Sequence, residues 1–137
     1  MKRVAFAVPG DLQRLTGGTI YDRRVIDELR EIGLEVLHIE LPASFPDPSA
    51  DEMREALAQL ADVPADVPVI VDGLALGALD PEGVVELCAP VIALVHHPLA
   101  EESGLDEARR AYFQETERAN LSHVQSVVVT SPHTAQL

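Results

Sequence analysis

The sequence has a single cysteine, Cys88. It therefore forms no internal disulfide, which fits a reducing, cytoplasmic compartment. Cys88 falls at a predicted helix end, where a small buried hydrophobe is the ordinary role and a reactive thiol the alternative. Basic residues are also few: 10 Lys and Arg against 23 Asp and Glu give a formal net charge of −13. That excludes nucleic acid as an expected partner, because phosphate contacts need clustered Lys and Arg. It equally argues against a polybasic membrane-binding face. No apolar run approaches the ~18 residues that span a bilayer, so no transmembrane segment is predicted. Met1-Lys2-Arg3 leads straight into a strand, so no signal peptide is expected. Several motifs are missing as well. The dinucleotide pattern G-x-G-x-x-G and the phosphate loop G-x-x-x-x-G-K-[ST] are absent, and so is the nucleophile elbow G-x-S-x-G. No two acids are placed by sequence at the separation glycoside hydrolysis needs. His96, His97, Glu101 and Glu102 match no zinc pattern, so no metal is expected.

What is present is a chain of 137 residues, 47% hydrophobic, enough for one domain over 1–137 with a core that needs no staple. Lys2–Val8 is mostly apolar and predicts a strand buried on both faces. A long polar loop follows, ending in Gly17-Gly18. Thr19–Ile32 predicts a helix with Ile20, Val25, Ile26, Leu29 and Ile32 as its apolar stripe and Gly33 just past its end. Glu35–Leu41 is the second strand. Pro42–Pro48 is a proline-rich loop, and Ser49 or Asp51 caps a helix to about Ala61. Val67–Val71 is the third strand, Asp72–Gly77 a loop or single helical turn, and Pro81–Cys88 a short helix with Pro81 near its start. Val91–Val95 is the fourth strand. Glu101–Asn120 predicts the longest helix, with Leu105, Ala108, Tyr112 and Ala119 toward the sheet. Ser126–Val129 is the fifth strand, and Ser131-Pro132 opens a further helix. A domain seldom stops in the first turn of a helix, so the sequence is expected to be part of a longer protein.

Strand and helix alternate five times, the pattern of a doubly wound parallel α/β sheet. Two strand orders are common. The Rossmann-like order 3-2-1-4-5 walls its crevice with the Pro9–Gly18 loop and His96-His97-Pro98. The order 2-1-3-4-5 replaces the histidines with Asp72-Gly73. The first is favoured because its walls carry the more reactive groups.

Gly17-Gly18 lets a backbone approach a ligand closely and leaves N–H groups at a helix N-terminus, which suits an anion. A plain turn is the alternative. His96 and His97 leave the fourth strand on opposite sides, so one faces the crevice. An imidazole there can donate to a sugar hydroxyl or act as a base, or it can simply end the strand. Glu40, at the end of the second strand, is where a nicotinamide enzyme places its ribose acid. Tyr21, Asp22, Arg23 and Arg24 open the first helix, as contacts to an acceptor or partner domain or as surface charge pairs. Ser131, His133 and Thr134 lie at the end of the fifth strand, with capping the main role for Ser131. A free-standing binding module and a nicotinamide-dependent oxidoreductase remain the alternatives to any transferase.

An ordered set of segments narrows this. Pro9-Gly-Asp11, Thr16-Gly-Gly-Thr-Ile-Tyr-Asp-Arg-Arg24, Leu29-Arg-Glu-Ile-Gly-Leu-Glu-Val36, Val71-Asp-Gly-Leu-Ala-Leu-Gly77, Val95-His-His-Pro-Leu-Ala-Glu-Glu102 and Val129-Thr-Ser-Pro-His-Thr-Ala135 run through nearly the whole chain. Together they resemble the N-terminal half of group 1 (GT4-type) glycosyltransferases. The resemblance implies a GT-B architecture of two Rossmann-like domains across a cleft, this chain being the acceptor-side domain. It implies retaining transfer from a nucleotide-sugar donor to an acceptor, with no required metal or other cofactor. Gly17 and Gly18 match the glycine loop that approaches the donor diphosphate. His96 matches the histidine near the reacting sugar, and His97 is its fallback. Arg14, Tyr21 and the Pro42–Pro48 loop are candidate acceptor contacts. The donor-binding C-terminal domain has no counterpart in this sequence. The chain alone is therefore expected not to catalyse transfer, and an exposed cleft face offers a route to a homodimer.

Overall fold

A computed structural model of the chain describes residues 2–13, 17–97, 99 and 104–130. Within these residues five strands and five helices follow in the order β1 (Arg3–Pro9), α1 (Gly17–Glu31), β2 (Glu35–Leu41), α2 (Ala50–Ala61), β3 (Val69–Asp72), α3 (Gly73–Leu76), α4 (Pro81–Val84), β4 (Val91–Val95), α5 (Glu107–Leu121) and β5 (Ser126–Val129). All strand pairs are parallel, and the fold is a Rossmann-like, doubly wound α/β sheet.

The strand order is β2-β1-β3-β4-β5. This corrects the favoured order 3-2-1-4-5, and the reason lies in the side chains. That order would bury β2 between two neighbours. Yet β2 reads Glu-Val-Leu-His-Ile-Glu-Leu, with Glu35, His38 and Glu40 exposed, which suits an edge strand. The run Val69-Ile70-Val71 offers no polar residue to solvent and suits an interior position. β3 accordingly lies between β1 and β4, with Ala5 opposite Val69 and Val71 opposite Ala93.

Alternation along β1 divides the core. Val4, Phe6 and Val8 face α1, where Ile26 is buried and Val25 and Leu29 pack beside it. Ala5 and Ala7 face the other layer, formed with Ala56 and Leu60 of α2, Ala75 and Leu76 of α3, Val84 of α4 and Phe113 of α5. The small alanines leave room for that crowded side. The stripe predicted for α1 is narrower than expected, since Ile20 is 43% and Ile32 75% exposed. Gly33 ends the α1 segment at φ 99°, a left-handed conformation that a side chain would strain. Ser49 caps α2 through a reciprocal pair: its hydroxyl accepts from the Glu52 N–H at 3.2 Å, and the Glu52 carboxylate accepts from the Ser49 N–H at 2.9 Å.

Helix α5 differs from its predicted face. Tyr112 is half exposed and Ala108 is exposed, while Phe113, Thr116, Glu117 and Asn120 turn inward. The polar three bind backbone rather than water. Asn120 Nδ2 donates to the carbonyls of Leu76 and Leu79 at 2.6 and 2.8 Å, and the Thr116 hydroxyl donates to Gly77 at 2.8 Å. Glu117 Oε2 accepts from the Leu99 N–H at 3.3 Å. These bonds tie α5 to the turn after β3 and to the segment after β4. Cys88 is exposed, which corrects its reading as a buried hydrophobe.

Candidate functional site

In a parallel sheet all strands point their carboxyl ends the same way, and ligands bind where neighbouring strands send their connections to opposite faces. Here that place is between β1 and β3. Three side chains from three elements meet beside it. Asp22 comes from the second turn of α1, Asp72 ends β3, and His96 follows β4 directly.

His96 Nε2 lies 3.0 Å from Asp22 Oδ1 and 3.4 Å from Asp72 Oδ2. The two carboxyl groups are close enough to shift each other's titration. Asp22 and Asp72 have relative exposures of only 0% and 2%, whereas the His96 side chain keeps 22% of its surface open. Each partner is fixed by its own element. Asp72 caps α3, with Oδ1 accepting from the Leu74 N–H at 2.9 Å, so its other oxygen is left for His96. Asp22 lies one turn before Ile26 on the buried side of α1. Tyr21 packs edge-on against the imidazole, with ring centroids 5.2 Å apart.

Burial and charge set the protonation of this trio. Burial works against the imidazolium, but the hydrogen bonds and charges of Asp22 and Asp72 outweigh it and raise His96 to about 9. Burial, aided by the Asp72 carboxylate, pushes Asp22 up to about 7 against the pull of His96. For Asp72 burial is overcome by its bonds to His96, Asp22 and the Leu74 N–H, which hold it below the ordinary carboxylate value. At neutral pH the imidazole is therefore a cation, Asp72 an anion, and Asp22 close to its midpoint.

The residues proposed from the sequence distribute unevenly around this centre. His96 is at it, and Tyr21 is its immediate neighbour. Gly17 and Gly18 are the first two residues of α1, about 7 Å along the helix axis from Asp22 at 1.5 Å per residue. His97 is exposed, so His96 rather than His97 is the histidine at the crevice. His97 instead acts electrostatically on Glu117, whose carboxyl is raised by burial and lowered by the Leu99 N–H and by His97. Glu40 stays on the exposed side of β2. Arg14, Glu101, Glu102, Ser131, His133 and Thr134 lie outside the described residues. Of the set weighed from the sequence as a metal grouping, His96 with His97, Glu101 and Glu102, the two glutamates lie outside the described residues. Among the described residues Asp22, Asp72 and His96 bring three donor atoms within 4.8 Å of one another.

Sequence reasoning missed the joining of Asp22 and Asp72 to His96. A signal existed for Asp22: its spacing to Ile26 and Leu29 is that of one helix face. No family model matches the chain, and comparison with curated proteins finds no match.

Proposed function

We propose that this chain is the acceptor-side domain of a retaining glycosyltransferase acting on a nucleotide-sugar donor. The observation that carries the reading is the imidazole of His96, held by Asp22 and Asp72 at the strand-order switch point beside a helix that opens on Gly17-Gly18. An imidazole and the N–H groups of a helix N-terminus at one crevice offer hydrogen-bond donors to a ligand with phosphate and hydroxyl groups. The ordered segments quoted above add the family resemblance. In this reading Gly17 and Gly18 present backbone N–H groups to the departing diphosphate. They stabilise charge that grows as the glycosidic bond to it breaks. His96 donates to the sugar near the reacting carbon, and Tyr21 and Arg14 contact the acceptor. A second domain supplies the rest of the donor site.

The test is transfer by the protein as encoded in full. Nucleoside-diphosphate sugars are screened by release of the nucleoside diphosphate, with His96→Ala and His97→Ala compared. Loss of a positioned imidazole is expected to lower kcat/KM by about a hundredfold or more for His96→Ala, with His97→Ala close to wild type. Tight binding of a nicotinamide dinucleotide without turnover of any sugar nucleotide would instead favour an oxidoreductase. Equal effects of the two histidine substitutions would remove His96 from its role.

A further inference from the structure

We propose that Asp22, Asp72 and His96 form a binding site for one divalent first-row transition-metal ion, with one oxygen from each carboxylate and Nε2 of the imidazole as ligands. The inference uses the same three side chains as the transferase reading, which needs no metal, and describes a second, metal-bound state of them.

Three observations converge on it. The first is geometry: the three donor atoms lie within 4.8 Å of one another, and Nε2 is 3.0 and 3.4 Å from the two carboxylate oxygens. An ion about 2.1 Å from each ligand separates neighbouring ligands by about 3.0 Å in an octahedron and about 3.4 Å in a tetrahedron. Nε2 therefore already stands at ligand spacing from one oxygen of each carboxylate.

The second is an orphaned acceptor. Asp22 is fully buried, and its Oδ2 has no hydrogen-bond partner among the described residues. Since Oδ1 of the same carboxylate rests on His96, Oδ2 is only about 2 Å from the cluster. A buried carboxylate oxygen without a donor is costly, and a cation about 2 Å from the carboxylate offsets that cost by its charge.

The third is charge. Two carboxylates and a neutral imidazole balance a divalent ion fully. On binding, the ion forms a bond to Nε2 and the Nε2 proton leaves to solvent, together with any proton held between the two carboxyl groups.

The donor set of one nitrogen and two oxygens suits Zn²⁺, Co²⁺ or Mn²⁺ rather than a soft ion. The surroundings are those of a supported site. Asp72 Oδ1 is fixed by the Leu74 N–H, which orients the ligating carboxylate. The partly open face of His96 provides entry.

The experiment is titration of chelator-treated protein with Co²⁺, followed by calorimetry and by visible absorption, with Zn²⁺ as competitor. The expected result is one Co²⁺ per chain, displaced by Zn²⁺, with a binding heat that depends on the buffer because protons are released. His96→Gln and Asp72→Asn are expected to weaken binding by more than the roughly ten- to hundredfold that loss of an outer partner costs. His123→Ala, at an exposed histidine beyond α5, is expected to leave it unchanged. Asp72 also caps α3, so His96→Gln decides the matter if Asp72→Asn does not fold. Absence of saturable binding, or binding that His96→Gln leaves intact, overturns the proposal. So does loss of binding in His123→Ala, which puts the ion on the surface. Because no sugar nucleotide is present, either result leaves the transferase reading to its own test.

Discussion

Replacing Asp22 by asparagine should flatten the way stability depends on pH. In chelator-treated wild type at about pH 5 the Asp22 carboxyl is protonated, and the buried charges of His96 and Asp72 cancel. At about pH 8 Asp22 is ionised in a site with no exposure. Its folded value of about 7 stands above the ordinary 3.8, so the folded chain holds a proton that the unfolded chain releases. That stabilisation is complete below 3.8 and is lost as pH rises through 7. For a single site it falls by roughly 2–3 kcal/mol between about pH 5 and about pH 8. His96, raised to about 9 from 6.5, acts with the same sign: its contribution is complete below 6.5 and is lost as pH rises through 9. The two do not add, because the same hydrogen bonds set both, and solvent at the open face of the ring screens part of the second. A fall of about 3 kcal/mol is expected for wild type from this cluster.

The amide introduced by Asp22→Asn can still accept from His96 and donate to Asp72, but it cannot ionise. The variant's profile should fall by only about 1 kcal/mol over the same range, leaving it relatively more stable at high pH than at low. Urea midpoints of both proteins, measured from about pH 5 to about pH 8, give the answer. The general repulsion of a chain with net charge −13 cancels to first order in the difference. Parallel profiles, or a steeper fall for Asp22→Asn, would refute the reasoning.

Three further positions probe the frame around the site. Asn120→Ala strips the donors from the Leu76 and Leu79 carbonyls and should cost about 2–4 kcal/mol by urea unfolding. Asn120→Asp should cost more, and increasingly so as pH rises, because its carboxylate would face those same carbonyls. Ser49→Ala removes one half of the α2 capping box and should cost about 1 kcal/mol. Gly77→Ala would place a methyl group 2.7 Å from Leu99 Cδ1 and 2.9 Å from Glu117 Oε2. It should cost about 1–3 kcal/mol, with amide chemical-shift changes at Leu99; an unshifted Leu99 would show that the packing is looser than described.

The alternation of strands and helices was legible because four of the strands are short, largely apolar runs, β2 alternates apolar with polar residues, and the longer helices keep their own phase. Individual faces were less so. Asp22 stands among Tyr21, Arg23 and Arg24, and a run of polar residues at a helix start reads as solvated surface. Its phase with Ile26 and Leu29 says otherwise, but a charged residue is counted outward unless a partner for it is known. That partner, His96, lies 74 residues away. The inner face of α5 hid for a similar reason. Thr116, Glu117 and Asn120 are polar, and their place in the core is justified only by carbonyls and an N–H on other segments. Apolar periodicity registers none of these.

The strand order was the decisive step for the site. Weighing the two orders by the reactivity of their crevice walls made Asp72 and His96 alternatives, one for each topology. Weighing them by burial gives a different result. β2 carries Glu35, His38 and Glu40 on exposed positions, whereas Val69-Ile70-Val71 has nothing to offer water, so β3 belongs inside and β2 at the edge. Once β3 lies between β1 and β4, Asp72 pairs with Leu94 across the ladder, two residues before His96. The end of β3 and the exit of β4 are then neighbours. The order 3-2-1-4-5 would have set them three strands apart and left His96 with at most one acid. A histidine that one carboxylate touches is oriented; one that two buried carboxylates share is a held cation or a metal ligand. The polar residues of an edge strand, remote from the crevice, thus determine what chemistry the crevice histidine can perform.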